Sequence, residues 1–281
     1  MIPSLIVLSH YQAEVLIRAK GNTSAEVSPD LGLTTVSVAL QDEEVCFPNG
    51  EYLSWETLAE IAANENNCFV VEGGEATSVQ AFSEAFERVY TLYPTESAPT
   101  MLVSGLPMHR IKDTDPWRDT QSKIKAMGRG RGQILDTATG LGYTSILAAK
   151  TADHVTTIEL DPAAQTIARH NPWSQPLFDN PKITQIIGDS YDEIEKFDHG
   201  RFSGIIHDPP MFSLAGDLYS LAFYRQAFRV LKPGGRMFHY IGNPQSKSGG
   251  RVTRGVVRRL QEAGFYRIAP WPQAFGVVAF R

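Results

Sequence analysis

Four places in the second half of this chain combine residue types and spacings that could do chemistry: Asp136 with Gly140 and Gly142 in Q-I-L-D-T-A-T-G-L-G-Y-T, Glu159 nineteen positions after Gly140, Asp189 in G-D-S, and Asp208 in H-D-P-P-M-F. Glycine at Gly140 and Gly142 lets the backbone turn sharply and a ligand approach it, which a Cβ would obstruct. A helix opening after that turn would offer the ligand its unpaired N–H groups and its positive dipole end. A hydride-transfer dinucleotide site wants G-x-G-x-x-G, and the third position here is Ser145. A carboxylate four residues before Gly140 would repel a pyrophosphate, whereas it welcomes a cationic amino acid moiety or orders the loop around it. Glu159 at the end of the next strand can accept both hydroxyls of a ribose, the logic that places an acid about 20 residues on in nucleotide-binding folds.

These residues need a scaffold that delivers strand ends to one edge, and the pattern from Gln133 onward supplies it. Strands are expected at 134–136, 155–158, 183–187, 204–206 and 237–241, with a turn at Lys232-Pro233-Gly234-Gly235 before the fifth. Helices are expected at 143–150, from Asp161-Pro162 to His170, and at 253–263, followed by strands near 266–268 and 277–280. Strand alternating with helix is the signature of a parallel, doubly wound α/β sheet, whose ligands sit at the carboxyl ends of the strands. A helix from Asp119 or Thr120 through Met127 leads into the first strand, and Lys123, Lys125, Arg129 and Arg131 form a basic cluster there.

The first hundred residues read as a separate, smaller α+β domain. β-rich runs cover 15–17 and 34–40, the latter alternating Thr35, Ser37 and Ala39 with Val36, Val38 and Leu40. A turn is expected at Pro48-Asn49-Gly50, a helix from Ser54 to Ala63, a strand at 69–71, and a helix over 78–93 with Val79, Phe82, Phe86, Val89 and Tyr90 on one face. A Pro/Ser-containing linker at 94–100 then separates residues 1–100 from a main domain at 101–281.

Composition narrows the class. With 42% hydrophobic and 20% charged residues the chain reads as a soluble globular protein, no run approaches a membrane span, and two cysteines, Cys46 and Cys68, suit the cytosol. The histidines and cysteines show no metal-ligand spacing. The net charge of −5 hides an asymmetry: residues 1–108 carry 3 Lys+Arg against 15 Asp+Glu, a balance of −12, and residues 109–281 carry 23 against 16, a balance of +7. A basic half points to an anionic partner for that half, or to attraction between the two halves.

Taken together, D-T-A-T-G-L-G-Y-T, I-E-L-D-P, G-D-S, H-D-P-P-M-F and R-V-L-K-P-G-G-R resemble the class I S-adenosylmethionine (SAM) dependent methyltransferases over residues 105–281, and a spermidine-synthase-like branch of predicted methyltransferases within them. The resemblance implies a SAM site made by Asp136, Thr137, Gly140, Gly142, Tyr143, Thr144, Glu159, Leu160, Asp189, Ser190 and Asp208, with Asp189 reading the adenine amino group. H-D-P-P is similar to the motif of enzymes that methylate exocyclic amino groups, which implies catalytic roles for Asp208, Pro209, Pro210 and Phe212. A conjugated amino nitrogen is a poor nucleophile, and a carboxylate and the Pro209 carbonyl accepting its two hydrogens would orient it and push electron density toward the methyl donor. An aromatic usually follows the second proline in that motif; Met211 stands there, and Phe212 comes one later. His109, Arg110, His207 and Tyr219 are candidates for contacts with the acceptor, which the resemblance suggests is RNA or a small-molecule amine. Arg251, Arg254, Arg258 and Arg259 form a basic helical face compatible with phosphate contacts. Two other readings stand beside this one. Spermidine-synthase-type aminopropyltransferases share I-E-L-D-P but favour G-G-G-D-G and D-x-x-D-P, and a SAM-fold binding module would need no intact D-P-P.

Overall fold

The computed structural model describes residues 5–128, 130–210, 215–243 and 249–281. The chain divides into two compact units, one made of Met1–Trp117 with Ala163–Gln175, the other of Arg118–Pro162 with Pro176–Arg281.

The first unit contains β1 (Ile6–Leu8), α1 (His10–Arg18), β2 (Ser24–Val27), β3 (Val36–Leu40), β4 (Glu44–Cys46), β5 (Tyr52–Ser54), α2 (Trp55–Ala62), β6 (Phe69–Glu72), β7 (Glu75–Ser78), β8 (Gln80–Ser83), β9 (Arg88–Tyr93), β10 (Thr100–Val103) and β11 (Leu106–Pro107). Three antiparallel sheets result, in the orders β1-β6-β7, β2-β3-β4-β5 and β11-β10-β9-β8. The β3 alternation holds, with Val38 and Leu40 buried, and Ser54 caps α2 by accepting from the Thr57 N–H at 3.1 Å. Two expectations are corrected. The run 15–17 lies inside α1, whose start is fixed by the Ser9 N–H donating to Gln12 Oε1 at 2.9 Å. There Ala13 and Leu16 face the core while Val15 and Ile17 point outward. Residues 78–93 are not a helix but the β8–β9 hairpin, in which Phe82 pairs with Val89 and both are exposed. The buried apolar residues there are Val79, Tyr90 and Leu92, and along β9 the burial alternates with a period of two that the helical spacing of the larger apolar residues obscured. Trp173, in the segment Ala163–Gln175, donates its indole N–H to the Leu31 carbonyl at 3.0 Å and meets Trp117 edge to face, so that segment clusters with the first unit.

In the second unit α3 (Pro116–Met127) leads to β12 (Gln133–Asp136), α4 (Tyr143–Ala149), β13 (His154–Glu159), β14 (Ile183–Ile187), α6 (Ser190–Glu193), β15 (Phe202–His207), α7 (Leu221–Val230), β16 (Leu231–Tyr240), α8 (Gly249–Glu262), β17 (Arg267–Trp271) and β18 (Gly276–Phe280), while α5 (Pro162–Arg169), between β13 and β14, clusters with the first unit from Ala163 on. One seven-stranded sheet has the order β14-β13-β12-β15-β16-β18-β17, parallel except for β18, which runs antiparallel to both of its neighbours. This is the expected doubly wound α/β sheet. The chain crosses from one side to the other between β12 and β15, so the switch point lies where Asp136 and Asp208 end their strands. The expected turn at Lys232–Gly235 is absorbed into β16: its pairing with β15 jumps from Phe202↔Leu231 to Gly204↔Arg236. Leu135, Ile205, Phe223, Tyr224, Met237 and Val256 are among the side chains of the core on one face, and Ile134, Val155, Ile206, Phe238 and Val278 pack on the other. Strands buried on both faces read as continuous apolar runs, which is why this half was legible.

Candidate active site

The Gly-rich turn folds as its residue types require. Gly140 has φ +51° and Gly142 φ +77°, the left-handed region that favours glycine. A Cβ on Gly140 would meet nothing within 4 Å, whereas one on Gly142 would stand 2.6 Å from Leu177 Cδ2. Gly140 therefore leaves an open approach to the backbone, and Gly142 permits packing. Glu159 braces the turn: one carboxylate oxygen accepts from the Gly140 N–H at 2.8 Å, the other from the Asp161 N–H at 3.1 Å. Burial raises the Glu159 carboxyl above its usual range, against the pull of those backbone donors. Leu160, beside it, is exposed.

Asp136 is wholly buried at the end of β12. Its Oδ2 accepts from Thr144 Oγ1 at 2.6 Å and Ser145 Oγ at 2.7 Å, both in the first turn of α4, and its Oδ1 has no hydrogen-bond partner among the described residues. Burial lifts its pKa to about 7, against the two hydroxyls. Thr137 spends its hydroxyl on His207 Nδ1 at 2.7 Å, and Ser190 Oγ donates to the Thr137 carbonyl at 2.6 Å, tying the ends of β12, β14 and β15 together. Asp189, exposed, caps α6 by accepting from the Tyr191 N–H at 2.8 Å. Tyr143 is buried in the first turn of α4.

At the end of β15 the arrangement changes from hydroxyls to a cation. Lys123 Nζ donates to Asp208 Oδ2 at 2.6 Å and lies 2.9 Å from Asp119 Oδ2, one helical turn earlier on α3. Side-chain exposures are 2% for Lys123, 0% for Asp119 and 16% for Asp208, so the ammonium is enclosed while Asp208 keeps an opening. Burial alone would lower the Lys123 pKa, but the two carboxylates outweigh it and hold the ammonium above its ordinary range. Burial raises the Asp208 carboxyl, against the attraction of Lys123. Asp208 Oδ1 makes no hydrogen bond among the described residues, and Pro209 follows it, buried. Lys123, expected in a basic cluster, is instead enclosed between two carboxylates. The signal was present: Asp119, Thr120, Lys123, Ala126 and Met127 form one buried stripe on α3, and a lysine in such a stripe demands partners.

His207 is wholly buried, with Nδ1 on Thr137 and Nε2 2.9 Å from the Leu218 carbonyl. A carbonyl can only accept, so Nε2 carries the proton and Nδ1 accepts from Thr137. Burial pushes this imidazole down to about 3. It stacks on Phe223, centroids 4.7 Å apart, and lies 4.4 Å from the His239 ring. His207 thus spends both nitrogens on the fold, leaving neither for the acceptor contact expected of it. Tyr219 donates its hydroxyl to the Pro210 carbonyl at 3.1 Å, and Arg259 Nε donates to the Tyr219 carbonyl at 2.8 Å. Of the expected basic face on α8, Arg251, Arg254 and Arg258 are exposed, and Arg259 is turned to this loop. His109 and Arg110 belong to the first unit, where His109 Nδ1 and Thr100 Oγ1 lie 3.0 Å apart. Met211 and Phe212 lie outside the described residues. Among the described residues no His, Cys, Asp or Glu group could hold a metal ion, and no helix is long and apolar enough to cross a membrane.

Residues 120–257 match the model of the Methyltransferase small domain family. Over 237 residues, 84% of this chain and 80% of the relative, the sequence is 43% identical to Uncharacterized protein MJ1233 of Methanocaldococcus jannaschii. The chain belongs to that protein's family. Polyamine aminopropyltransferase of Mycobacterium tuberculosis is 30% identical over 166 residues, covering 56% of this chain but 31% of the relative, so the match spans about a third of that enzyme's length. The solved spermidine synthase of Thermotoga maritima superposes with a TM-score of 0.57 at 17% identity, over 72% of this chain and 70% of the other, which shows a shared fold. The methyltransferase domain match makes S-adenosyl-L-methionine the cofactor, and the residues present fit it. The open side of Gly140, the unpartnered buried Asp136 Oδ1 and the anchored Glu159 carboxylate meet, in turn, the need for close backbone approach, a cation acceptor and a diol acceptor.

Proposed function

We propose that this protein transfers a methyl group from SAM to an amino nitrogen, and that the acceptor is an exocyclic base amine in RNA. When bound, the cofactor supplies a sulfonium methyl: the amine's lone pair forms the N–C bond while the C–S pair leaves with sulfur. Asp136 faces the donor's amino acid cation with Oδ1, Glu159 receives the ribose hydroxyls on its remaining lone pairs, and Leu160 covers the base. Asp189, whose Oδ1 is already engaged at the start of α6, offers its second oxygen to the adenine amino group. Asp208 Oδ1 and the Pro209 carbonyl receive the two N–H hydrogens of the acceptor, aligning its lone pair. The proton released from the methylated nitrogen passes to Asp208 and then to water. Tyr219 steadies the loop by holding the Pro210 carbonyl.

The observation that carries this reading is the end of β15, where a carboxylate held on one oxygen by Lys123, with the other oxygen uncommitted among the described residues, precedes two prolines. The aminopropyltransferase relatives favour a second reading, transfer of an aminopropyl group to a polyamine. A polycationic acceptor calls for paired acids, yet the residue before Asp208 is a neutral, buried His207, and the charge of Asp208 is matched by Lys123. Incubating the protein with methyl-labelled SAM and separated cellular RNA, protein and small-molecule fractions tests the proposal. Label is expected in RNA as a base N-methyl group and binding should weaken steeply with salt. Turnover of decarboxylated SAM with a polyamine, and none with SAM, would replace this reading with the second.

A further inference from the structure

A lysine is among the residues least often fully buried, and an Asp-Lys pair at i, i+4 on a helix contributes too little to explain burial. Lys123 reaches past Asp119 to a strand end 85 positions later in the chain, and its contact with Asp208 is the shorter of the two. Its ammonium also lies 4.8 Å from the centre of the Tyr240 ring, so the position is fixed from three sides. A buried ion cluster is poor value for stability alone, since apolar side chains of similar volume often serve as well. What apolar side chains could not do is hold a carboxylate ionised and oriented at the edge of the sheet.

We propose that Lys123 is a positioning residue for the acceptor amine: it takes Oδ2 of Asp208, fixes the plane of the carboxylate, and keeps Oδ1 as the anion that receives the amine's N–H. This rests on the amine-methylation reading above. The groups acting on Asp208 are Lys123 and Asp119 from α3, Asp136 from β12 and the Tyr219 phenol, with neutral His207 preceding it and the Tyr240 ring against Lys123. Lys123 is the cation of that set and Asp119 opposes the ionisation of Asp208 from behind it, so replacing each must move Asp208 in opposite directions.

The test follows the ionisation of Asp208 by carboxyl carbon NMR in aspartate-labelled protein, its signal assigned by loss in D208N, and follows the pH profile of methyl transfer in the same variants. K123M is expected to raise the Asp208 midpoint by about one to three pH units, K123R to return it toward that of the unaltered protein, and D119N to lower it. The acidic limb of kcat should move the same way in each variant, with SAM affinity unchanged. A common midpoint in the unaltered protein, K123M and D119N overturns the proposal, and so does an acidic limb that ignores shifted midpoints. Should K123M fail to fold, the direction of the shift in D119N decides. Failure of the underlying reading looks different: no amine is methylated by the unaltered protein, whatever the midpoints do.

Discussion

Asp136 and Asp208 close adjacent parallel strands, β12 and β15, yet the fold keeps them in different ways. Asp136 is satisfied on one oxygen by two hydroxyls, with no cation against it, and its pKa is lifted to about 7. Asp208 is satisfied on one oxygen by an enclosed ammonium. Hydroxyls stabilise a buried carboxylate only weakly, which under the proposed function leaves a cationic ligand to complete the site. At Asp208 an ammonium opposes the burial penalty on the carboxylate before any ligand arrives, and fixes its direction. Under the proposed function the same residue type does two jobs, binding a cation at one strand end and orienting a neutral amine at the other.

The largest effect that sharpens this contrast is expected on the cofactor side. Glu159→Ala removes the acceptor for the ribose hydroxyls and releases the Gly140 N–H. Loss of two hydrogen bonds to a charged group, about 1.5–3 kcal/mol each, should weaken SAM binding by two orders of magnitude or more in calorimetry. Unchanged affinity would remove Glu159 from the cofactor side. A smaller effect comes from pH. Because the folded Asp136 titrates near 7, SAM affinity should decline by up to about tenfold for each pH unit below that value, and Asp136→Asn should bind weakly at every pH with a flat profile. The same decline in the Asn variant would break the contrast. The smallest effect concerns the support beneath Asp208. The folded His207 stays neutral down to about 3 while its unfolded form takes a proton near 6.5. The unfolded state binds more protons in that window, so stability is full above 6.5 and falls as pH drops through it, by about 1.4 kcal/mol per pH unit. His239, also pushed down by burial, adds with the same sign. Melting scans should show His207→Gln losing less Tm on acidification, by a few degrees per pH unit; parallel curves would show that the imidazole is not neutral in the fold.

Much of the geometry on the proposed cofactor side was legible in the sequence because it rests on backbone demands. Gly140 and Gly142 stand where φ is positive, and Glu159 stands at a strand end whose distance from them is set by one helix and one strand. The acceptor side was half legible. Asp208 and its prolines are contiguous, but the partner that holds Asp208 lies 85 positions earlier, in a run of basic residues that reads as surface. The β8–β9 hairpin misled for a related reason: in a small sheet with one open face, large apolar residues such as Phe82 stay exposed, and their spacing then mimics a helix.

The account's central claim is that Asp208 serves the acceptor while Asp136 and Glu159 serve the cofactor. Its most direct test is Asp208→Asn, measured for SAM affinity by calorimetry and for single-turnover methyl transfer on the identified acceptor. The account predicts unchanged affinity with turnover lowered by about 10²–10⁴-fold. Equal loss of both would place Asp208 on the cofactor and contradict the division of roles.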